Sequence, residues 1–104
     1  MALIKSCLAS GGGGFDIVAL YNVYTASGTY KDITVTANVG DYLALNNSNP
    51  NAEISGTGVS ETSEITITGA LKIYKVTSAL TSASLRVLMQ SGNSGGAVLH
   101  IRNV

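Results

Sequence analysis

The strongest constraint on this chain is an alternation of apolar and polar residues that never runs for long. In YKDITVTA, residues 30–37, it places Ile33, Val35 and Ala37 on one side and polar groups on the other. Such period-two patterning suits a half-buried β-strand, whereas an amphipathic helix repeats every 3.6 residues. Glycine, asparagine and aspartate end each run after about eight to twelve residues, the spacing of short antiparallel strands.

Read this way, strands are predicted over residues 15–24, 30–37, 42–45, 52–55, 64–68, 71–77, 85–90 and 97–104, and residues 2–9 form a further short apolar segment. Turns are expected at residues 25–28, 38–41, 56–58 and 78–82, with a polar loop over 46–51 around the single proline. Residues 78–88 have room for one or two helical turns, but their residues favour extended backbone. Eight or nine short strands without a long helix predict an all-β chain folded as a single antiparallel β-sandwich, jelly-roll-like or Ig-like. Four consecutive glycines, Gly11 to Gly14, divide it into an N-terminal arm with its hinge, residues 1–14, and a β-sandwich domain, residues 15–104.

Composition narrows the function. The 104 residues are 45% hydrophobic but only 12% charged, about half the usual charged share. The polarity comes instead from 12 serines, 10 threonines and 8 asparagines. Six basic and six acidic residues cancel, and no basic run is present. Attraction to nucleic-acid phosphates or to an anionic membrane surface therefore has no evident source, and neither partner is expected. Net charge near zero also removes a safeguard against self-association. Cys7 is the only cysteine, so no intrachain disulfide can form. Lys5 interrupts the apolar N-terminus and no apolar run approaches the length of a membrane span, so the expectation is synthesis in the cytoplasm without a cleaved signal.

The motifs that suggest chemistry are short. Gly92-Asn93-Ser94-Gly95-Gly96 resembles the nucleophile loop of trypsin-like serine proteases. A serine nucleophile needs a histidine base oriented by a carboxylate, and those enzymes hold both well upstream. Here the only histidine, His100, follows Ser94 by six residues, so the segment reads as a glycine-rich hairpin turn joining the last two strands. His100 alternates with Val98 and Arg102, which predicts a surface or interface position on the more polar face. Glu61 and Glu64 form the only tight acidic pair, and they read as a solvated loop rather than an ion site. Gly11 to Gly14 lack the following lysine and helix of a phosphate cradle, so they act as a joint. No enzyme activity, metal or cofactor is expected. Asn46-Asn47-Ser48 spells a glycosylation triplet but reads as a polar loop. Tyr24 and Tyr30 flank the 25–29 turn and are predicted to approach across a hairpin, a candidate stacking patch for a sugar. Before the hinge, Ala2, Leu3, Ile4, Cys7 and Leu8 make an apolar arm that calls for a docking place on its own sheet or a neighbour's.

Over the full length, the arm ending in Gly11 to Gly14, the strands YKDITVTANVGDYLAL and EITITGALKIYKV, and the glycine-hinged C-terminal pair resemble the small all-β structural proteins of tailed-bacteriophage virions. The resemblance implies a head-decoration, head-fibre or tail-associated component, localised to the virion and a symmetric homo-oligomer, often a trimer. The expected role is binding other protein chains through the arm and sheet edges. The alternative is a carbohydrate-binding module using Tyr24 and Tyr30.

Overall fold

The computed structural model describes residues 15–24, 30–46, 51–88 and 95–103. These contain eight strands and no helix: β1 (Phe15–Tyr24), β2 (Tyr30–Ala37), β3 (Tyr42–Asn46), β4 (Glu53–Ser55), β5 (Val59–Thr62), β6 (Lys72–Val76), β7 (Leu80–Leu88) and β8 (Gly95–Asn103). All pairings are antiparallel, in a five-stranded sheet ordered β1-β8-β3-β6-β5 and a three-stranded sheet ordered β2-β7-β4.

Three pairings are nested: β1 with β8, β2 with β7 and β3 with β6. Their strand numbers each sum to nine, as when one long hairpin is folded over into two sheets, the jelly-roll plan. Only β5 departs from it, pairing with β6 instead of extending the three-stranded sheet beside β4. Every connection except β5 to β6 passes from one sheet to the other. An Ig-like order is excluded, since β1 and β2 lie in different sheets.

Alternation builds the shared core. Ile33, Val35 and Ala37 of β2 and Leu85 and Val87 of β7 bury against Leu43 and Leu45 of β3, Val76 of β6 and Val98 of β8, one apolar cluster fed by both sheets. The sheets also share a polar tie. Tyr74 of β6 reaches across so that its hydroxyl accepts the backbone N–H of Ile54 on β4 at 3.1 Å. That N–H belongs to the strand left at the sheet edge by the departure of β5.

The 64–68 segment, predicted as a strand, is not one. Its alternating isoleucines serve another purpose: Ile67, with Ile65 and Ala70 alongside, covers Leu99, Ile101, Ile73 and Tyr42 on the far face of the five-stranded sheet. Residues 59–62, read as loop, form β5, and β7 begins at Leu80, inside the predicted 78–82 turn. The last two strands do not make a hairpin either, because β7 and β8 belong to different sheets. Gly95 and Gly96 open β8 opposite Tyr24 and Val23. Residues 91–94, with Ser94, lie outside the described residues, as do the arm residues Ala2, Leu3, Ile4, Cys7 and Leu8, the hinge Gly11, Gly12, Gly13 and Gly14, and residues 47–50.

Candidate functional site

Among the described strands β1 is the outer one of the five-stranded sheet, and its residues divide between two faces. Tyr21 and Val23 turn toward the core shared by the sheets, whereas Phe15 packs on the opposite face, edge-on to the Tyr42 ring at 6.1 Å. Ile17 stands opposite Ile101, and Leu20 opposite Leu99, so both join Phe15 on that far face. The register slips between Ile17 and Ala19, leaving Val18 as a bulged residue. Buried under the 65–70 segment, Leu99 and Ile101 end a covered apolar stripe that emerges uncovered on β1. Ile17, Val18 and Leu20 are 44%, 41% and 43% exposed. Natural sheet edges are blunted with lysine, proline or inward charge, because unpaired backbone groups invite another strand. β1 has neither lysine nor proline, and its single charge is Asp16 near one end.

A second surface is the outer face of the three-stranded sheet. Thr34 on β2, Ser84 on β7 and Ser55 on β4 are exposed there, uncharged and hydroxyl-bearing. Asp32 and Arg86 are opposite in register and form an open ion pair at 3.8 Å. The Arg86 guanidinium lies 4.9 Å from the centre of the Tyr30 ring, which is 55% exposed. Asp32, Ser55, Gly56, Ser84 and Arg86 line a shallow depression of about 280 Å³. Tyr30 is joined to this hollow through Arg86 and does not itself line it. Tyr24 ends β1 and Tyr30 opens β2, strands of different sheets, so the two positions do not face each other across a hairpin. The 25–29 connection joins sheets rather than paired neighbours.

The third feature is buried and was misread in the sequence. His100 was expected on the surface, yet it is fully buried, on the same inward face as Val98. Its Nε2 lies 2.7 Å from Oδ2 of Asp41, itself only 2% exposed. Arg102, two residues along the same strand, donates to the same carboxylate from Nε and Nη2 at 3.0–3.2 Å. The backbone N–H of Asn38 completes the set at 3.0 Å. Asp41 is held there by a tight turn in which its own N–H donates to the Asn38 carbonyl. Gly40 takes φ +93° at the position that a type II turn reserves for glycine. Burial alone pushes the Asp41 carboxyl up, but the bonds from Arg102, His100 and Asn38 outweigh it and hold the group below its ordinary value. An ionised carboxylate only accepts, so Nε2 of His100 carries a proton, and buried Nδ1 has no partner among the described residues. The cluster clamps β8 to the β2–β3 turn.

On the far side, Glu64 accepts from Lys75 at 3.0 and 3.1 Å and from the Tyr42 hydroxyl at 3.1 Å. Glu61 stands on β5 opposite Tyr74. No group of three or more metal-ligating side chains, and no helix long enough to cross a membrane, occurs among the described residues. No family model, curated protein or solved structure matches the chain.

Proposed function

We propose that this is a non-enzymatic assembly protein, a component of a virion of the tailed-phage type, which works by binding other protein chains through its N-terminal arm and sheet edges. The observation that carries the reading is β1: an edge strand of ten residues with three large apolar side chains more than 40% exposed and a single charge. A solitary soluble domain is poorly served by such an edge; a subunit is well served by it. The jelly-roll strand order agrees with this role by fold analogy, since capsid domains use it, though lectins and cupins do too. Balanced charge, six basic against six acidic residues, leaves little long-range repulsion between copies. The reading predicts a stable homo-oligomer in light scattering, and loss of mass on deleting residues 1–10. A monomer at every concentration would end it.

A second reading, a carbohydrate-binding module, is favoured by one observation. The Tyr30 ring stacks against Arg86, which together with Asp32, Ser55, Gly56 and Ser84 lines a shallow hollow. A stacking ring beside paired donors and acceptors is the chemistry that recognises a sugar. Binding on a glycan array that disappears in both Tyr30→Ala and Arg86→Ala would support this second reading; hits indifferent to both would remove it.

A further inference from the structure

We infer that the β1 edge pairs with the β1 edge of a second copy of this chain, antiparallel about a two-fold axis between Val18 and Ala19. The inference rests on the assembly reading above and specifies its contact. Opposed residues of antiparallel strands share a face. On β1 the far-face residues are Phe15, Ile17, Leu20 and Asn22, and the inward ones Asp16, Ala19, Tyr21 and Val23, with Val18 in the bulge.

Matching like faces in an antiparallel self-pairing selects registers. The one that sets Ile17 opposite Leu20 of the second copy also sets Phe15 opposite Asn22 and Asp16 opposite Tyr21, every pair on a common face. Each copy then covers the exposed Ile17 and Leu20 of the other. The only charge on the strand, Asp16, meets no like charge, being about five residues from its counterpart. The bulged residues also meet each other's neighbours, Val18 opposite Ala19, so the irregularity is accommodated twice by the same symmetry. Such an isologous contact would fuse the two five-stranded sheets into one.

The fourteen residues that precede β1 carry the apolar side chains Ala2, Leu3, Ile4, Cys7 and Leu8 and span up to about 46 Å when fully extended, enough chain to enlarge the contact beyond the strand pair.

The test uses full-length protein carrying Cys7→Ser with Ile17→Cys and Leu20→Cys. Opposed Cα atoms at about 4.5–5.5 Å permit a disulfide. Mild oxidation should give a covalent dimer whose peptide map shows only the 17-to-20 link, and Ile17→Cys alone should give none. Leu20→Lys, at an exposed site and checked for folding by circular dichroism, should halve the mass in solution or lower it further. An oligomer that keeps its mass with Leu20→Lys and forms no 17-to-20 link overturns the pairing. If that oligomer still falls apart on deleting residues 1–10, the assembly reading stands without β1 pairing. A monomeric wild type overturns both.

Discussion

Replacing Tyr74 by phenylalanine isolates the polar tie between the sheets. The ring is retained, so no cavity opens in the core around Val76 and Leu43. Only the oxygen is lost, and with it the acceptor 3.1 Å from the Ile54 N–H. Ile54 is 3% exposed and Tyr74 5%, so the donor left behind has little access to water. A buried donor stripped of its partner costs about 1–3 kcal/mol. Because Ile54 lies on an edge strand of three residues, some rehydration is open to it, which places the expected loss at about 1–2 kcal/mol. For a domain near this size that lowers Tm by roughly 4–16 °C. Urea titration followed by far-ultraviolet circular dichroism reads the change directly, provided the slope with denaturant is constant. Burial also raises the Tyr74 hydroxyl above its ordinary 10.0, with Ile54 opposing and Glu61 and Glu53 assisting. A folded-state value above the unfolded one means that stability is complete below pH 10 and falls as pH rises past it. The gap between wild type and variant should therefore narrow above pH 10. Tyr42→Phe is the control, since the Tyr42 hydroxyl donates to solvent-exposed Glu64. A loss for Tyr74→Phe under about 0.5 kcal/mol, small beside the usual cost of a stranded buried donor, or no greater than for Tyr42→Phe, would refute the argument that this bond joins the sheets.

Three further outcomes follow from the buried cluster and a turn. Asp41→Ala strands the His100 and Asn38 donors, while Arg102, 40% exposed, can turn to water; unfolding titrations should show a loss of about 2–4 kcal/mol. Because the folded Asp41 carboxyl lies below its ordinary 3.8, its contribution is present above that pH and fades as pH falls through the folded value, so the difference between Asp41→Asn and wild type should shrink in acid. Gly58→Ala meets both φ +95° and a new methyl 2.9 Å from Leu80 Cδ2 and 3.1 Å from the Ser78 carbonyl, so it should cost more than about 1 kcal/mol, read as a lower urea midpoint.

What the sequence made legible was the strand, and what it hid was the partner. β1 and β2 have the bounds that alternation and turn residues predict, Phe15–Tyr24 and Tyr30–Ala37, because those signals are local. The same alternation in EITIT misled, since Ile65 and Ile67 space their side chains like a strand while acting as a cover over Leu99 and Ile101. VSET escaped notice because β5, half exposed, has only one apolar residue to reveal it. Hairpins were expected at residues 25–29 and 91–96, yet glycine-rich turn chemistry serves equally well for a crossing between sheets. His100 read as polar surface because its two partners in the cluster lie at such unequal distances along the chain. Arg102 is two residues away and visible, but Asp41 is 59 away and nothing local points to it. The exposed edge had a signal of its own: FDIVALY holds four aliphatic residues in a row, more than a one-sided strand uses.

The nested pairing also dictates a timetable. β1 is the first described strand to leave the ribosome, and its partner β8 is the last, with 70 residues between them. At roughly 5–20 residues per second, the apolar strand waits on the order of 10 s before any of its own backbone partners exists. Only β5 and β6 join without waiting, as adjacent strands. Folding of this chain is therefore committed from the middle and closed at the ends, and the strand most eager for company is the one left longest without it.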